Sequence, residues 1–449
     1  MSLVLLVVYL GVLWLAGGAS RADALGQVVV RSVAWIALII VILFGARPSF
    51  GGMKPVLLLL AGAVLLTLLQ LVPLPPGIWQ ALPGRAFFME AAAASGQEQP
   101  WRPWSLVPGA TVNAASSLIV PIVALVLVAG LKEAERSWLP GLVLSLIVGS
   151  TFLGLLQFSG AGFNNPLIND TAGQVSGIFA NRNHFALFAA FGCMLAPVWA
   201  FLDGRQPQWR GPAALGLVLL FALTILATGS RAGLLLGALG LGLGLVMVGE
   251  GIRRELRRYP RWVFLAILAG IVGTIVIFVL ISIAADRAAA IERVLDLDAG
   301  QDLRARTLPT VLDLIRDYFP AGSGLGGFDP IFRKHEPFDL LKLNYFNHAH
   351  NDFLEIAIDA GLVGILLLAA GLLWWGLASV RAWRVGVSPR HAVPKLGSAM
   401  LLLILIASII DYPARTPMIM AVIVIAGVWL CERAKGSRGS ALPGSGQPL

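Results

Sequence analysis

PAALGLVLLFALTILAT at 212–228, GSR at 229–231 and AGLLLGALGLGLGLVMVG at 232–249 decide the fold. Read as one helix, the stretch overshoots a bilayer, whose ~30 Å hydrocarbon core takes about 20 helical residues. Gly229, Ser230 and Arg231 must therefore turn the chain, and the stretch reads as a tight hairpin of two membrane helices. Backbone N–H and C=O groups find no water within lipid and must pair inside their own segment, so helix is the form such runs take.

Outward from this hairpin the same signal repeats. Apolar spans fall near 2–17, 28–45, 55–72, 112–131, 139–159, 184–202, 212–228, 232–249, 262–284, 352–380, 396–411 and 416–432. Of the 449 residues 57% are hydrophobic and 13% are charged, against about 25% charged in soluble domains. The expected fold is all-α: a polytopic bundle of about 12 transmembrane helices over residues 1–435, followed by a disordered Gly/Ser/Pro-rich cytoplasmic tail at 436–449. Leu3 to Leu15 has no Lys or Arg before it, so it reads as the first membrane helix rather than a signal peptide. Cys193 and Cys431 lie inside apolar runs and support neither a disulfide framework nor a Cys metal site.

The net charge of +9 points to topology rather than to nucleic acid. With both termini cytoplasmic, the inner loops and tail hold eighteen Lys and Arg, from Arg47 to Arg438, and the short outer loops hold seven. The positive-inside rule favours that orientation. Residues 73–111, rich in Pro and carrying Trp79, Trp101 and Trp104, read as a segment along the outer membrane surface. Residues 285–351 form one large periplasmic loop. Within it Leu308, Val311, Leu312, Ile315 and Phe319 recur at helical spacing, with Pro309 in the first turn and Pro320 as the stop. That amphipathic helix is either packed on the bundle or laid on the membrane face as a lid.

Mid-span charge is nearly absent, which argues against an ion-coupled transporter. Polar residues gather instead at the predicted outer face: Asn181, Arg182, Asn183 and His184; Ser230 and Arg231; Asp411 and Arg415; and Asn347 to Asp352 with Glu355. His348-Ala-His350-Asn-Asp352 has a metallo-hydrolase spacing, but it opens directly into a membrane helix and has no second His cluster downstream. Gly322-Ser-Gly324-Leu-Gly326-Gly327 satisfies GxGxxG but lacks the preceding strand of a dinucleotide unit. It reads as a loop closing the lid helix, whose N–H groups are free to approach a phosphate.

His350-Asn351, nine residues, then Gly361-Leu-Val-Gly364 matches the H-[NSQ]-x9-G-x-x-[GTY] motif of O-antigen ligases. Ser176-Gly-Ile-Phe-Ala-Asn-Arg-Asn-His-Phe185 and Thr228-Gly-Ser-Arg-Ala-Gly233 resemble two further segments of the O-antigen ligase and polymerase superfamily. The resemblance covers roughly residues 140–432, and order and topology agree with it.

The resemblance implies a metal-independent, inverting glycosyltransferase in the bacterial inner membrane, with no cofactor. The donor is a glycan on undecaprenyl diphosphate. The acceptor is lipid A-core, or a growing glycan if the chain is a polymerase of O-antigen or exopolysaccharide; membrane lipids are the remaining partners. A transporter without chemistry is the rival from another class. Under this reading His350 is the general base, since an imidazole titrates near neutral pH. Arg231 stabilises the leaving diphosphate through fixed guanidinium donors. Arg182, His184, His348, Asn351, Asp352, Arg304 and Arg306 are the substrate-binding candidates, with Asp352 or Glu355 expected to fix the imidazole tautomer.

Overall fold

The computed structural model describes residues 1–161, 165–169, 173–202, 207–260, 303–341, 346–384 and 392–432, with scattered positions between 262 and 280. Its first half contains α1 (Ser2–Ala16), α2 (Leu25–Phe44), α3 (Lys54–Leu69), α4 (Pro76–Gln80), α5 (Ala86–Ala94), α6 (Pro108–Ser117), α7 (Ile119–Ala129), α8 (Glu133–Arg136) and α9 (Leu139–Phe158). Then come α10 (Arg182–Phe201), α11 (Arg210–Thr228), α12 (Arg231–Leu256), α13 (Leu303–Tyr318), α14 (Phe328–His335), α15 (Asp352–Arg384), α16 (Ala392–Ile410) and α17 (Pro417–Cys431). Two short strands, β1 (Pro73–Leu74) and β2 (Arg102–Pro103), pair antiparallel.

The protein is an all-α, multi-pass membrane bundle. Among the described residues eight helical stretches are long and apolar enough to cross a membrane, and Ser2–Ala16, Lys54–Leu69 and Pro417–Cys431 are shorter apolar helices. The span expected at 262–284 lies largely, and the tail expected at 436–449 wholly, outside the described residues.

The hairpin forms as its sequence requires. Gly229 caps α11 in the left-handed conformation (φ 62°), which costs a residue without Cβ little. Ser230 then caps α12, its Oγ accepting from Gly233 N at 3.0 Å. Glycines on one face of α12 set how closely α10 packs: a Cβ on Gly240 would stand 2.8 Å from Ala190 O, and one on Gly244 2.8 Å from Met194 O. Small residues allow such backbone approach where lipid supplies no hydrophobic drive. α10 becomes the enclosed centre of the bundle, 89% buried along its apolar window.

α15 is interrupted at Gly361 (φ 55°, ψ −144°). The loop at 320–327 satisfies the backbone groups released there. Ser323 N donates to Ile358 O at 2.8 Å, Gly324 N to Asp359 O at 2.8 Å, and Leu362 N to Pro320 O at 2.9 Å. Buried Gln70 joins the same knot, with Nε2 on Asp359 O at 3.0 Å and Oε1 accepting from Leu325 N at 2.8 Å. Any Cβ at position 361 would stand 2.1 Å from Pro320 O, which is why glycine is required there. The GxGxxG loop thus spends its N–H groups inside the protein, and the expectation that they approach a phosphate is corrected.

Two other expectations change. α13 begins at Leu303, so Pro309 lies inside the helix rather than in its first turn. The face that α13 buries carries Val311, Leu314 and Tyr318, while Leu308, Leu312 and Phe319 are about 40% exposed. In the Pro-rich segment Trp79 is buried rather than interfacial, its indole N–H donating to Pro103 O at 2.8 Å. Trp104 likewise donates to Ala321 O at 3.0 Å; Trp101 is 65% exposed.

Candidate active site

The polar residues converge at one end of the bundle, where α10, α12, α15 and α17 begin and α11 and α16 end. Their centre is Asp411, on the turn between α16 and α17. It is 3% exposed. His350 Nδ1 lies 3.1 Å from its Oδ1, and Tyr412 N donates to the same oxygen at 3.0 Å. Oδ2 accepts from Asn183 Nδ2 at 2.7 Å, from Asn181 Nδ2 at 3.1 Å and from Arg304 Nη2 at 3.5 Å. Burial alone would push this carboxyl up. The hydrogen bond from His350 and the neighbouring imidazole and guanidinium groups outweigh burial and hold it below the ordinary carboxylate range.

Local sequence explains how these groups arrive. Asn181 caps α10 by accepting from Asn183 N at 2.8 Å, which turns both amides toward Asp411. Ser230, the cap of α12, donates to Asn183 Oδ1 at 2.8 Å, so the hairpin turn joins the same network. Arg231 follows as the first residue of α12 and is exposed. Arg182 is the first residue of α10 and is partly buried. His350 has φ 50°, a conformation that L side chains rarely adopt. It is held there by Asp411 and by the rings of Phe346 and Tyr412, each 4.9 Å away. Such strain is characteristic of sites where surrounding structure over-determines a side chain.

A second group surrounds Arg415, on the same turn. Its Nε lies 3.2 Å from Asp352 Oδ1, and its Nη1 lies 3.1 Å from Glu355 Oε1 and 3.9 Å from Asp359 Oδ2. Asp352 also accepts from Ser408 Oγ at 2.9 Å, and Glu355 from His348 Nδ1 at 2.9 Å and Ala349 N at 2.8 Å. Burial works against the Arg415 cation, but the carboxylates of Glu355, Asp352 and Asp359 prevail and raise its pKa.

Among the candidates, His350, His184 and Arg304 meet around Asp411. Arg182 opens the helix whose Asn183 reaches it, and Arg231 follows the cap residue Ser230, which reaches Asn183. Asn351 is a helix cap: its Oδ1 accepts from Phe353 N and Leu354 N, both at 3.0 Å, and its Nδ2 donates to Ile409 O at 2.8 Å. His348 and Asp352 belong to the Arg415 group. Arg306 forms an exposed pair with Asp339 at 3.1 Å. The partner of the His350 imidazole is Asp411, not Asp352 or Glu355. The HxHxD run is divided, His350 facing Asp411, His348 facing Glu355 and Asp352 facing Arg415.

A small cleft opens beside Asp411. Its polar wall is Asn183, His184, Arg304 and Asp411; its apolar wall comes from α10, α12 and α16, with Leu187, Leu236 and Ile410. From the sequence, Asp411, Arg415 and Asn183 stand out only as polar residues at span ends. The available signal was an Asp and an Arg within six residues, Asp411-Tyr-Pro-Ala-Arg-Thr416, between two apolar runs.

Fold and site together define a multi-pass membrane protein whose polar chemistry is confined to one end of a helical bundle. Residues 216–369 match the O-antigen ligase (Wzy_C) family model, a stretch that contains both Arg231 and the His350 motif. Over that stretch the chain resembles the O-antigen ligase superfamily, whose members are glycosyltransferase-type enzymes. No curated protein matches the chain.

Proposed function

We propose that the protein is an inverting glycosyltransferase of the O-antigen ligase type. It moves a glycan from undecaprenyl diphosphate to a hydroxyl of lipid A-core or a comparable acceptor, at the periplasmic face of the inner membrane and with both termini cytoplasmic. The observation that carries this reading is His350 held by Asp411, a carboxylate that lines an amphipathic cleft together with Arg304. With Nδ1 engaged by Asp411, Nε2 is the ring nitrogen left for the acceptor. The acceptor oxygen forms a bond to the anomeric carbon and its proton passes to His350. The bond from that carbon to the diphosphate breaks, and its electron pair leaves with the lipid. Arg231 and Arg304 meet the charge that develops there, and no metal ion is required in this scheme. One preorganised donor of this kind is worth roughly 10²–10³ in rate.

The test is release of undecaprenyl diphosphate by purified protein given lipid-linked glycan and acceptor. His350→Ala and Arg231→Ala each reduce that release by at least about 10²-fold with membrane insertion intact. Full activity in both variants would move the reaction elsewhere. Substrate uptake into sealed vesicles without release would replace it by transport. Deletion of the gene separates the two enzymatic readings: long polymer left on the carrier marks a ligase, and single repeat units mark a polymerase.

A further inference from the structure

His184 is 2% exposed and lines the cleft, yet the transfer step above leaves it without a task. Its ring is locked. Nδ1 lies 3.0 Å from the buried Thr416 hydroxyl, and Phe179 and Tyr412 meet the ring edge-on at 6.4 and 5.1 Å. The other nitrogen, Nε2, has no hydrogen-bond partner and stands 3.8 Å from Asp411 Oδ1. A hydrogen rather than a lone pair must face that carboxylate, because a lone pair would meet negative charge. Thr416 therefore donates to Nδ1, and Nε2–H is the donor left over. Asp411 cannot satisfy it, since 3.8 Å exceeds hydrogen-bond reach and five other donors already share its two oxygens.

We infer that Nε2–H of His184 donates to an uncharged sugar oxygen of the glycan bound in the cleft. A buried N–H held rigid and left unmade is costly unless a ligand completes it. A phosphate oxygen fits this position poorly. It would lie against the Asp411 carboxylate, whose Oδ1 is 3.8 Å from Nε2, whereas a hydroxyl or ring oxygen brings no charge. The assignment makes His184 a specificity residue for the glycan, distinct from the groups that meet the diphosphate. It rests on the reading that a lipid-linked glycan enters this cleft.

The experiment uses the full-length protein in nanodiscs with two probes: lipid-linked glycan extracted from cells lacking the gene, and bare undecaprenyl diphosphate. His184→Phe raises the half-saturating concentration of the glycan-bearing carrier roughly tenfold, the scale of one lost neutral hydrogen bond. It changes kcat by less than about threefold and leaves affinity for the bare carrier within about twofold. His184→Gln, which keeps an N–H donor, restores most of the affinity. Equal weakening for both carriers, or a collapse of kcat at unchanged KM, overturns the assignment. In wild-type protein labelled with ¹⁵N-histidine, the His184 Nε2–H resonance shifts with the glycan-bearing carrier and not with the bare one. A ring protonated on Nδ1 instead, or a shift with both carriers, also overturns it. Should the wild type show the glycan-dependent shift but no transfer, the transferase reading fails while the glycan contact stands.

Discussion

Asp411 and Arg415 stand four residues apart on the turn between α16 and α17, and each gathers buried polar partners with opposite charge logic. Around Asp411 a single carboxylate receives donors from five residues, and the group borders a cleft. Around Arg415 a single guanidinium faces three carboxylates drawn from one helical segment. The first leaves His184 Nε2 without a hydrogen-bond partner. The second uses its groups to fasten the turn to the start of α15. A group that borders a cleft and a buried ion cluster are thus built side by side from similar residue types. Both hold an unpartnered buried atom, His184 Nε2 in the first and Asp359 Oδ1 in the second; what separates them is that the first borders the cleft.

The comparison breaks most visibly at Arg415. Arg415→Gln removes the cation that faces Asp352, Glu355 and Asp359, and removal of one partner from a buried ion pair costs about 3–5 kcal/mol. Thermal unfolding in detergent reads this as a large drop in midpoint, with Arg415→Lys intermediate because it keeps charge but loses the fork. If Arg415→Gln instead kept its stability and lost all transfer, the two groups would have exchanged roles.

Asp411→Asn sharpens the other side. The amide keeps the shape but cannot hold the imidazole as the carboxylate does, and transfer falls by about 10²-fold or more. Its pH signature follows from the depressed carboxyl. The folded group ionises at lower pH than its unfolded counterpart, whose pKa is about 3.9. Its stabilisation is therefore complete above that value and is lost as pH falls through the folded value. The stability gap between wild type and Asp411→Asn stays constant from about pH 8 to about pH 5 and closes only in stronger acid. Unfolding midpoints across that range check it.

The smallest effect is at Asn351. It lies beside His350 in the motif, but its hydrogen bonds cap a helix. Asn351→Ala lowers stability by about 1 kcal/mol and leaves turnover of the folded enzyme nearly unchanged; a loss of turnover as large as that of Asp411→Asn would return Asn351 to the site.

Much of this was legible in the chain. The hairpin at 212–249 follows from apolar length and a Gly-Ser-Arg turn, both local properties. The motif around His350 is local too, and its parts acquire physical meaning in the fold: Asn351 caps α15, and Gly361 breaks it where Pro320 passes. The partners of these residues were not legible. Asp411 reaches Asn181 across 230 positions and His350 across 61, and no periodicity encodes such pairings. For the same reason Asp352 and Glu355, the nearest carboxylates in sequence, were expected to serve His350, although their place on α15 turns them toward Arg415. The GxGxxG loop shows the converse: its glycines are read easily, but that they serve the break in α15 depends on a contact with distant residues.

The central claim is that Asp411 acts through His350, and a double-mutant cycle on transfer tests it most directly. Release of undecaprenyl diphosphate is measured for wild type, His350→Ala, Asp411→Asn and the double variant. Residues that act as a unit are strongly non-additive, so in the His350→Ala background Asp411→Asn should lower the rate by no more than about twofold. If it instead costs its full factor in that background, Asp411 works independently of the imidazole and the pairing on which this account depends is wrong.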